Sequence, residues 1–283
     1  MQAFVTGGTG LLGSNLIRAL VSEAWSVKAL LRPDHARDFI ADRTVAYIEG
    51  DMREVGAFAA ELTGCDVVFH AAAQGDGDAE LQRQANLKGT AHLLTQARRA
   101  GIPKFVYAAH NIAPDATDEA IARLVHHYPE MQVVTVVPGS MLGPNDSAPT
   151  PAGRTLVDVL SGKPLPDFGL GACIVDARDV AHAMLQAYEN GRAGERYPVA
   201  GPLYPAGTIA EVLGRAAGLQ LAPRRSLLGS LKRFFQRFEP AILDSGRAVD
   251  ELGVRFRPLE ETMRDTVDWF RNRKPARPLA AVV

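Results

Sequence analysis

Three glycines carry the first chemical signal in this chain. Gly7, Gly10 and Gly13 stand three residues apart, G-x-x-G-x-x-G, within "AFVTGGTGLLGSNLIRALV" at residues 3–21. A short β-branched run precedes them and a helical apolar repeat follows from about Leu11, which puts them in a strand-to-helix turn. Such a turn, free of side chains, lets phosphate oxygens approach the backbone. The helix then aims its first N–H groups, those of Leu11 and Leu12 included, and its positive dipole end at the same point. A dinucleotide pyrophosphate is the ligand this implies. A ligand-free glycine turn is the alternative, and the flanking elements argue against it.

A second signal lies at the end of the next strand, in "ALLRPDHAR". A carboxylate there would bind a ribose 2′-hydroxyl and repel a 2′-phosphate, but Arg32 occupies the position, with Arg37 nearby. A guanidinium grips phosphate with a two-pronged fork. NADP(H) is therefore favoured over NAD(H), the alternative being that Arg32 is only a solvated loop residue.

Other reactive side chains are sparse. His110, just after the strand "KFVYAA", is placed for acid–base work, since imidazole titrates near neutrality, although a histidine there is more often structural. Adjacent His126 and His127 cannot share a helix face and read as the end of a helix. Asp176 and Asp179 in "VDARDVAHAM" read as a turn and helix start with aspartate caps, and His182 as packed. No His, Cys, Asp or Glu cluster has metal-ligand spacing. Cys65 and Cys173 read as buried thiols in a reducing compartment.

These residues must be positioned by the elements around them. Short apolar runs ("AFVT", "VKALL", "VAYI", "DVVFHAA", "KFVYAA", "QVVTVV") alternate with helical patterns, which is the signature of βαβ units. The runs are apolar on both faces, as in strands covered by helices on either side. Right-handed crossovers then give a Rossmann-type, doubly wound parallel α/β sheet. After "VVPGS" the texture becomes Pro- and Gly-rich, predicting a smaller α/β substrate lobe at the C-terminal side. The expected division is a dinucleotide-binding domain at residues 1–138 and the substrate lobe at 139–283, with segments around 172–190 returning to the first domain.

The 283 residues, 47% apolar and 22% charged, supply a sizeable core. A net charge of -1 gives no field favouring nucleic acid. No apolar run is long enough to span a bilayer, and the chain enters a strand with no basic leader, so a cytoplasmic protein is the expectation. The basic stretch "PRRSLLGSLKRFFQRF" at 223–238 could lie on a membrane surface, but reads better as a substrate-lobe helix burying its phenylalanines.

The motifs "TGGTGLLGSNL", "EGDMRE", "GCDVVFHAAA", "NLKGT", "AGIPKFVYAA", "VVPGSMLGP" and "VDARDVAHAM" resemble, in order and spacing over residues 2–270, the extended short-chain dehydrogenase/reductase family, also called the NAD-dependent epimerase/dehydratase family. "PTPAGR" and "GERY" are most similar to its dihydroflavonol-reductase and hopanoid-associated sugar-epimerase branch. The resemblance implies that Asp51 and Met52 meet the adenine and that Ala71, Ala72 and Ala73 lie against the cofactor ribose. It implies that Asn86 ties helix to strand, and that Pro138, Gly139 and Ser140 flank the nicotinamide. It also implies a small-molecule substrate and a homodimer.

The resemblance further implies a Tyr-x-x-x-Lys pair one helical turn apart, in which the ammonium lowers the phenol's pKa and the phenolate exchanges a proton with substrate. No tyrosine here has lysine four residues on, and His110 stands at the usual serine position. The interval after "KFVYAA" that should hold the pair is short, as are those after "HAAA" and near "RFEPAILDSGRAVDELG". All three border the substrate cleft in this family. Either the protein kept its cofactor cradle and lost the reaction, or the sequence as written omits active-site segments; the clustering at the cleft leans towards omission. Two functions follow: an NADP-dependent reductase or epimerase of a carbonyl or sugar-like substrate, or a catalytically inactive cofactor-binding sensor or regulator.

Overall fold

Strands that are apolar on both faces need cover on both sides, and the computed structural model provides it. It describes residues 1–31, 43–72, 79–109, 116–127, 130–168, 171–221 and 244–273. Arg32, Arg37, Ala73, His110 and the basic stretch 223–238 lie outside the described residues.

Strands β1 (Gln2–Thr6), β2 (Ser26–Leu31), β3 (Val45–Glu49), β4 (Val67–His70), β5 (Lys104–Ala108), β6 (Gln132–Pro138) and β9 (Arg196–Val199) form one sheet in the order β3-β2-β1-β4-β5-β6-β9. Every pairing in it is parallel. Helices α1 (Leu11–Ser22) and α5 (Ala177–Asn190) cover one face, where Leu16, Ile17, Leu20, Val180 and Met184 pack on Val5, Val27, Phe69, Val106 and Val134. Helices α2 (Ala79–Arg99) and α3 (Ala116–His127) cover the other, with Leu93, Leu94, Ala97 and Ile121 against Phe4, Val68, Phe105 and Val133. Each fully buried side chain of this size contributes about 1.5–3 kcal/mol. The fold is the expected Rossmann-type α/β sheet.

A second sheet pairs β7 (Ser140–Leu142) in parallel with β8 (Gly171–Asp176), and β8 antiparallel with β10 (Leu203–Pro205). Helices α4 (Pro151–Leu160), α6 (Ala206–Ala217) and α8 (Leu259–Asn272) close a separate core around Leu156, Ile174, Leu213, Met263, Val267 and Phe270. The short α7 (Gly246–Leu252) packs instead beside β9 and α5, through Ala248 and Leu252.

Ion pairs join α5 to the segment leading into α8. Asp176 caps α5, accepting from the Arg178 N–H at 2.8 Å, and also accepts from the Arg178 Nε and Nη2 and from the Thr262 hydroxyl at 2.9 Å. Arg178 Nη1 continues to Asp265 at 2.7 Å. Asp179 is not a cap. It sits inside the first turn, where its carboxylate accepts from the Arg257 backbone N–H at 2.7 Å and pairs with the Arg257 guanidinium. Burial pushes this carboxyl above its ordinary value, against the lowering pull of Arg257.

Two further expectations are corrected. His182 is exposed, because the apolar stripe of α5 runs through Val180, Ala183, Met184 and Ala187, and residue 182 falls on the opposite side. Cys65 is buried but Cys173 only half so; both are free thiols.

Replacing Arg257 with methionine removes the guanidinium from the buried Asp179 carboxylate while the backbone N–H bond remains, and we expect a loss of about 3 kcal/mol, read as a lower urea midpoint at unchanged slope. Asp179→Asn combined with it should recover part of that loss.

Candidate functional site

Because every strand of the large sheet is parallel, their carboxyl ends share one edge. The strand order reverses between β1 and β4, where a crevice opens, and ligands of doubly wound sheets bind there. Gly7, Gly10, Gly13, Leu11 and Leu12 stand at the end of β1 and the start of α1. Ala71 and Ala72 follow β4, half-buried, and Asp51 and Met52 follow β3, also half-buried. Pro138 and Ser140 lie at the β6–β7 junction. The sheet therefore brings these residues to one edge. Gly139 between the last two presses on Ala200, and a Cβ there would come within 2.7 Å of Ala200 backbone atoms.

The three glycines differ in what demands them. Gly7 has φ +75°, and a Cβ there would meet the Ala71 and Ala72 backbone at 2.7 Å. Gly13 allows α1 to press on the end of β1, since a Cβ would lie 2.1 Å from the Gly7 carbonyl oxygen. Gly10 is different: among the described residues its Cβ would touch only the Gly7 oxygen, at an ordinary 3.4 Å. Among those residues nothing requires glycine there. Gly10 is also the N-cap of α1, contributes no capping side chain, and is followed by no acidic residue in the first turn. The end of this buried helix thus presents its N–H groups and dipole with no acidic residue of its own first turn to meet them. The residues fit a pyrophosphate.

A polar chain beneath the turn went unnoticed in the sequence. The Thr6 hydroxyl accepts the Ala72 N–H at 3.3 Å and pairs with His70 Nδ1 at 2.7 Å; His70 Nε2 pairs with the Thr90 hydroxyl at 2.8 Å. Thr6, His70 and Thr90 are all buried, and the His70 ring stacks on Tyr107 with centroids 5.5 Å apart. This chain sets the path of residues 71–72 against Gly7. The signal available in the sequence was the histidine ending an otherwise apolar strand, "VVFH", with a threonine ending β1.

The phenol–ammonium pair is missing from this edge among the described residues. Tyr107 is buried under His70; the Tyr197 hydroxyl accepts the Arg192 N–H and donates to Glu251. Lys104 does sit 5.6 Å from the centre of the Tyr188 ring, but at the start of β5, on the opposite edge of the sheet. There, burial, backed by Asp66 and Glu189, pushes the Tyr188 phenol up, and burial pushes the Lys104 ammonium down. A phenol activated by an ammonium needs the reverse for tyrosine. Tyr128 lies outside the described residues, and among those described no group of three or more His, Cys, Asp or Glu could hold a metal. No described helix is long and apolar enough to cross a membrane.

The model of the NAD dependent epimerase/dehydratase family matches residues 3–111. Sterol demethylase protein B of Methylococcus capsulatus is 30% identical over 326 positions, covering 96% of this chain and 99% of that protein. The chain belongs to the NAD-dependent epimerase/dehydratase family, the extended short-chain dehydrogenases/reductases. A Synechocystis protein provisionally described as a dihydroflavonol 4-reductase is 27% identical, covering 95% of this chain and 94% of its own. In structure, the dTDP-glucose 4,6-dehydratase DesIV of Streptomyces venezuelae, with NAD bound, superimposes with a TM-score of 0.75 at 23% identity, over 96% of this chain and 97% of that one. The alignment to the Methylococcus family member runs over more positions than this chain has residues, so that relative carries segments with no counterpart here.

The glycine geometry separates binding from folding. Gly10→Ala should keep Tm within a few degrees, a cost of about 1 kcal/mol or less, yet weaken NADPH binding in a fluorescence titration. Gly13→Ala should lower Tm and binding together, because the backbone must move. His70→Phe, which keeps a ring on Tyr107 but leaves two buried hydroxyls short of a partner, should cost about 1–3 kcal/mol in chemical denaturation and weaken NADPH binding as well.

Proposed function

We propose that this family member binds NADP(H) along the carboxyl edge of its large sheet and is an NADP-dependent reductase or epimerase of a carbonyl or sugar-like small molecule, whose Tyr-x-x-x-Lys segment is absent from the sequence as written. The observation that carries the cofactor half is Gly10, a glycine that no contact among the described residues requires, at a helix N-terminus with no acidic residue in its first turn. When bound, the nicotinamide would supply hydride exchange with substrate carbon. The chain's own residues bind and orient: Gly7 and Gly13 shape the turn, and the backbone at Gly10, Leu11 and Leu12 holds phosphate. Asp51 and Met52 border the adenine, while Ala71, Ala72 and Ala73 leave room for ribose. Pro138 and Ser140 flank the nicotinamide. Arg32 would take the 2′-phosphate, and His110 occupies the position of the family's catalytic hydroxyl.

The second reading, a cofactor-binding sensor or regulator without turnover, is favoured by one observation: no Tyr–Lys pair stands at the carboxyl edge among the described residues. Intact mass decides first. The sequence corresponds to 30.4 kDa; a protein heavier by several kilodaltons carries the missing segment, and the enzyme reading stands. At the written mass, steady NADPH oxidation with a panel of aldehydes, ketones and nucleotide sugars, lost in Gly10→Asp, still supports the enzyme. Binding without any turnover makes the protein a sensor. Arg32→Ser should weaken NADPH by roughly 10–100-fold and leave NADH nearly unchanged, the value of a charged hydrogen-bonded contact; equal effects on both would return Arg32 to a solvated loop.

A further inference from the structure

The first turn of α1 has a second set of partners. Ser14 and Asn15 fall outside the apolar stripe of α1 formed by Leu12, Leu16, Ile17 and Leu20, where solvent is ordinarily expected, yet both are buried, at 1% and 5% exposed. What covers them is the segment leading from β7 to α4. The Asn15 amide donates to the Leu11 carbonyl at 2.8 Å and to the Pro144 carbonyl at 2.9 Å. The Ser14 hydroxyl, within reach of the Leu11 carbonyl, also lies 3.2 Å from the Asn145 carbonyl. In return the Asn145 amide donates to Asn15 Oδ1 at 3.1 Å.

Asn145 is held in the left-handed region, φ +72°, one of two described non-glycine residues with positive φ. Asparagine tolerates that conformation better than other side chains, but it still costs energy that surrounding contacts must offset. The next residue, Asp146, is 1% exposed and accepts from the Thr150 N–H and hydroxyl, and Thr150 in turn caps α4 through the Gly153 N–H at 3.1 Å. Two sets of hydrogen bonds, joined by the peptide bond between Asn145 and Asp146, therefore connect the turn that would hold the pyrophosphate to α4.

We infer that Asn15 and Asn145 are positioning residues, a clasp through which dinucleotide binding at the first turn of α1 and the placement of residues 143–150 stabilise each other. This rests on the dinucleotide reading above. The Leu11 carbonyl and the Asn15 amide belong to the same turn as the N–H groups of Leu11 and Leu12, so fixing that turn from one side lowers the cost of ordering it from the other. Such coupling is reciprocal: what steadies the second lobe tightens the cofactor, and the cofactor steadies the second lobe.

The test is amide hydrogen exchange on the full chain with and without saturating NADPH, paired with NADPH titration. In the unaltered protein NADPH should slow exchange at residues 7–13 and also at 143–150. Asn145→Gly keeps the left-handed backbone without strain while removing the side-chain bond, so it should fold with little change in Tm. In that variant, and in Asn15→Ala, NADPH should bind about tenfold more weakly, a mid-range coupling, and should protect 7–13 while leaving 143–150 unprotected. A merely structural pair would shift Tm and leave the cofactor-dependent protection intact, and that result overturns the clasp. So does protection confined to 7–13 in the unaltered protein. If NADPH protects neither region, the dinucleotide reading itself falls and takes the clasp with it.

Discussion

The closeness with which α1 presses on the end of β1 governs the rest of the carboxyl edge. At Gly13 there is no room for even one carbon beyond the backbone, because the Gly7 carbonyl occupies it. That contact brings the first turn of α1 over the crevice between β1 and β4, and the left-handed Gly7 fits under Ala71 and Ala72 only as glycine. Loosening either approach would turn the helix N-terminus away from the space where the other strand ends gather.

Around this point the protein uses apolar and polar contacts for different purposes. The two faces of the large sheet and the core of the second lobe are apolar, and burial there supplies most of the stabilisation without specifying direction. Direction comes from a few buried polar groups: Thr6, His70 and Thr90 under the turn, Asn15 and Asn145 between turn and second lobe, Asp176 and Asp179 at the β8–α5 corner. A buried donor or acceptor left without its partner costs about 1–3 kcal/mol, so each of these links tolerates one arrangement and resists others. The cofactor edge is in this sense assembled by hydrogen bonds laid over a core that would accept several geometries.

Among the described residues, the same edge lacks the phenol–ammonium pair that would use a cofactor. Relatives align over more positions than this chain contains, which agrees with the short intervals after "HAAA" and "KFVYAA". The parallel sheet tolerates changes of length in its connections, since the strands and the faces of α2 and α3 that cover them are in place. A cradle without a reactive pair is physically self-consistent, since the close approaches at Gly7 and Gly13 are set by β1, α1 and the residues after β4.

Local pattern determined a good deal. Apolar runs alternating with helical repeats dictated a doubly wound sheet, and G-x-x-G-x-x-G dictated its tight strand-to-helix turn, because both are short-range consequences of side-chain periodicity and of glycine's missing Cβ. The absence of Tyr-x-x-x-Lys was equally legible, being a matter of spacing four residues apart. Tertiary structure alone separated the glycines: Gly7 and Gly13 are required by contacts within the chain, and among the described residues Gly10 is not, although the sequence presents the three as equivalents. It alone joined Thr6 to His70, 64 residues apart, and Asn15 to Asn145, 130 apart. It also sent His182 to solvent and gave Asp179 to Arg257 rather than to a helix cap. Such pairs leave no periodic trace, because a hydrogen bond between distant segments constrains two residues and nothing between them.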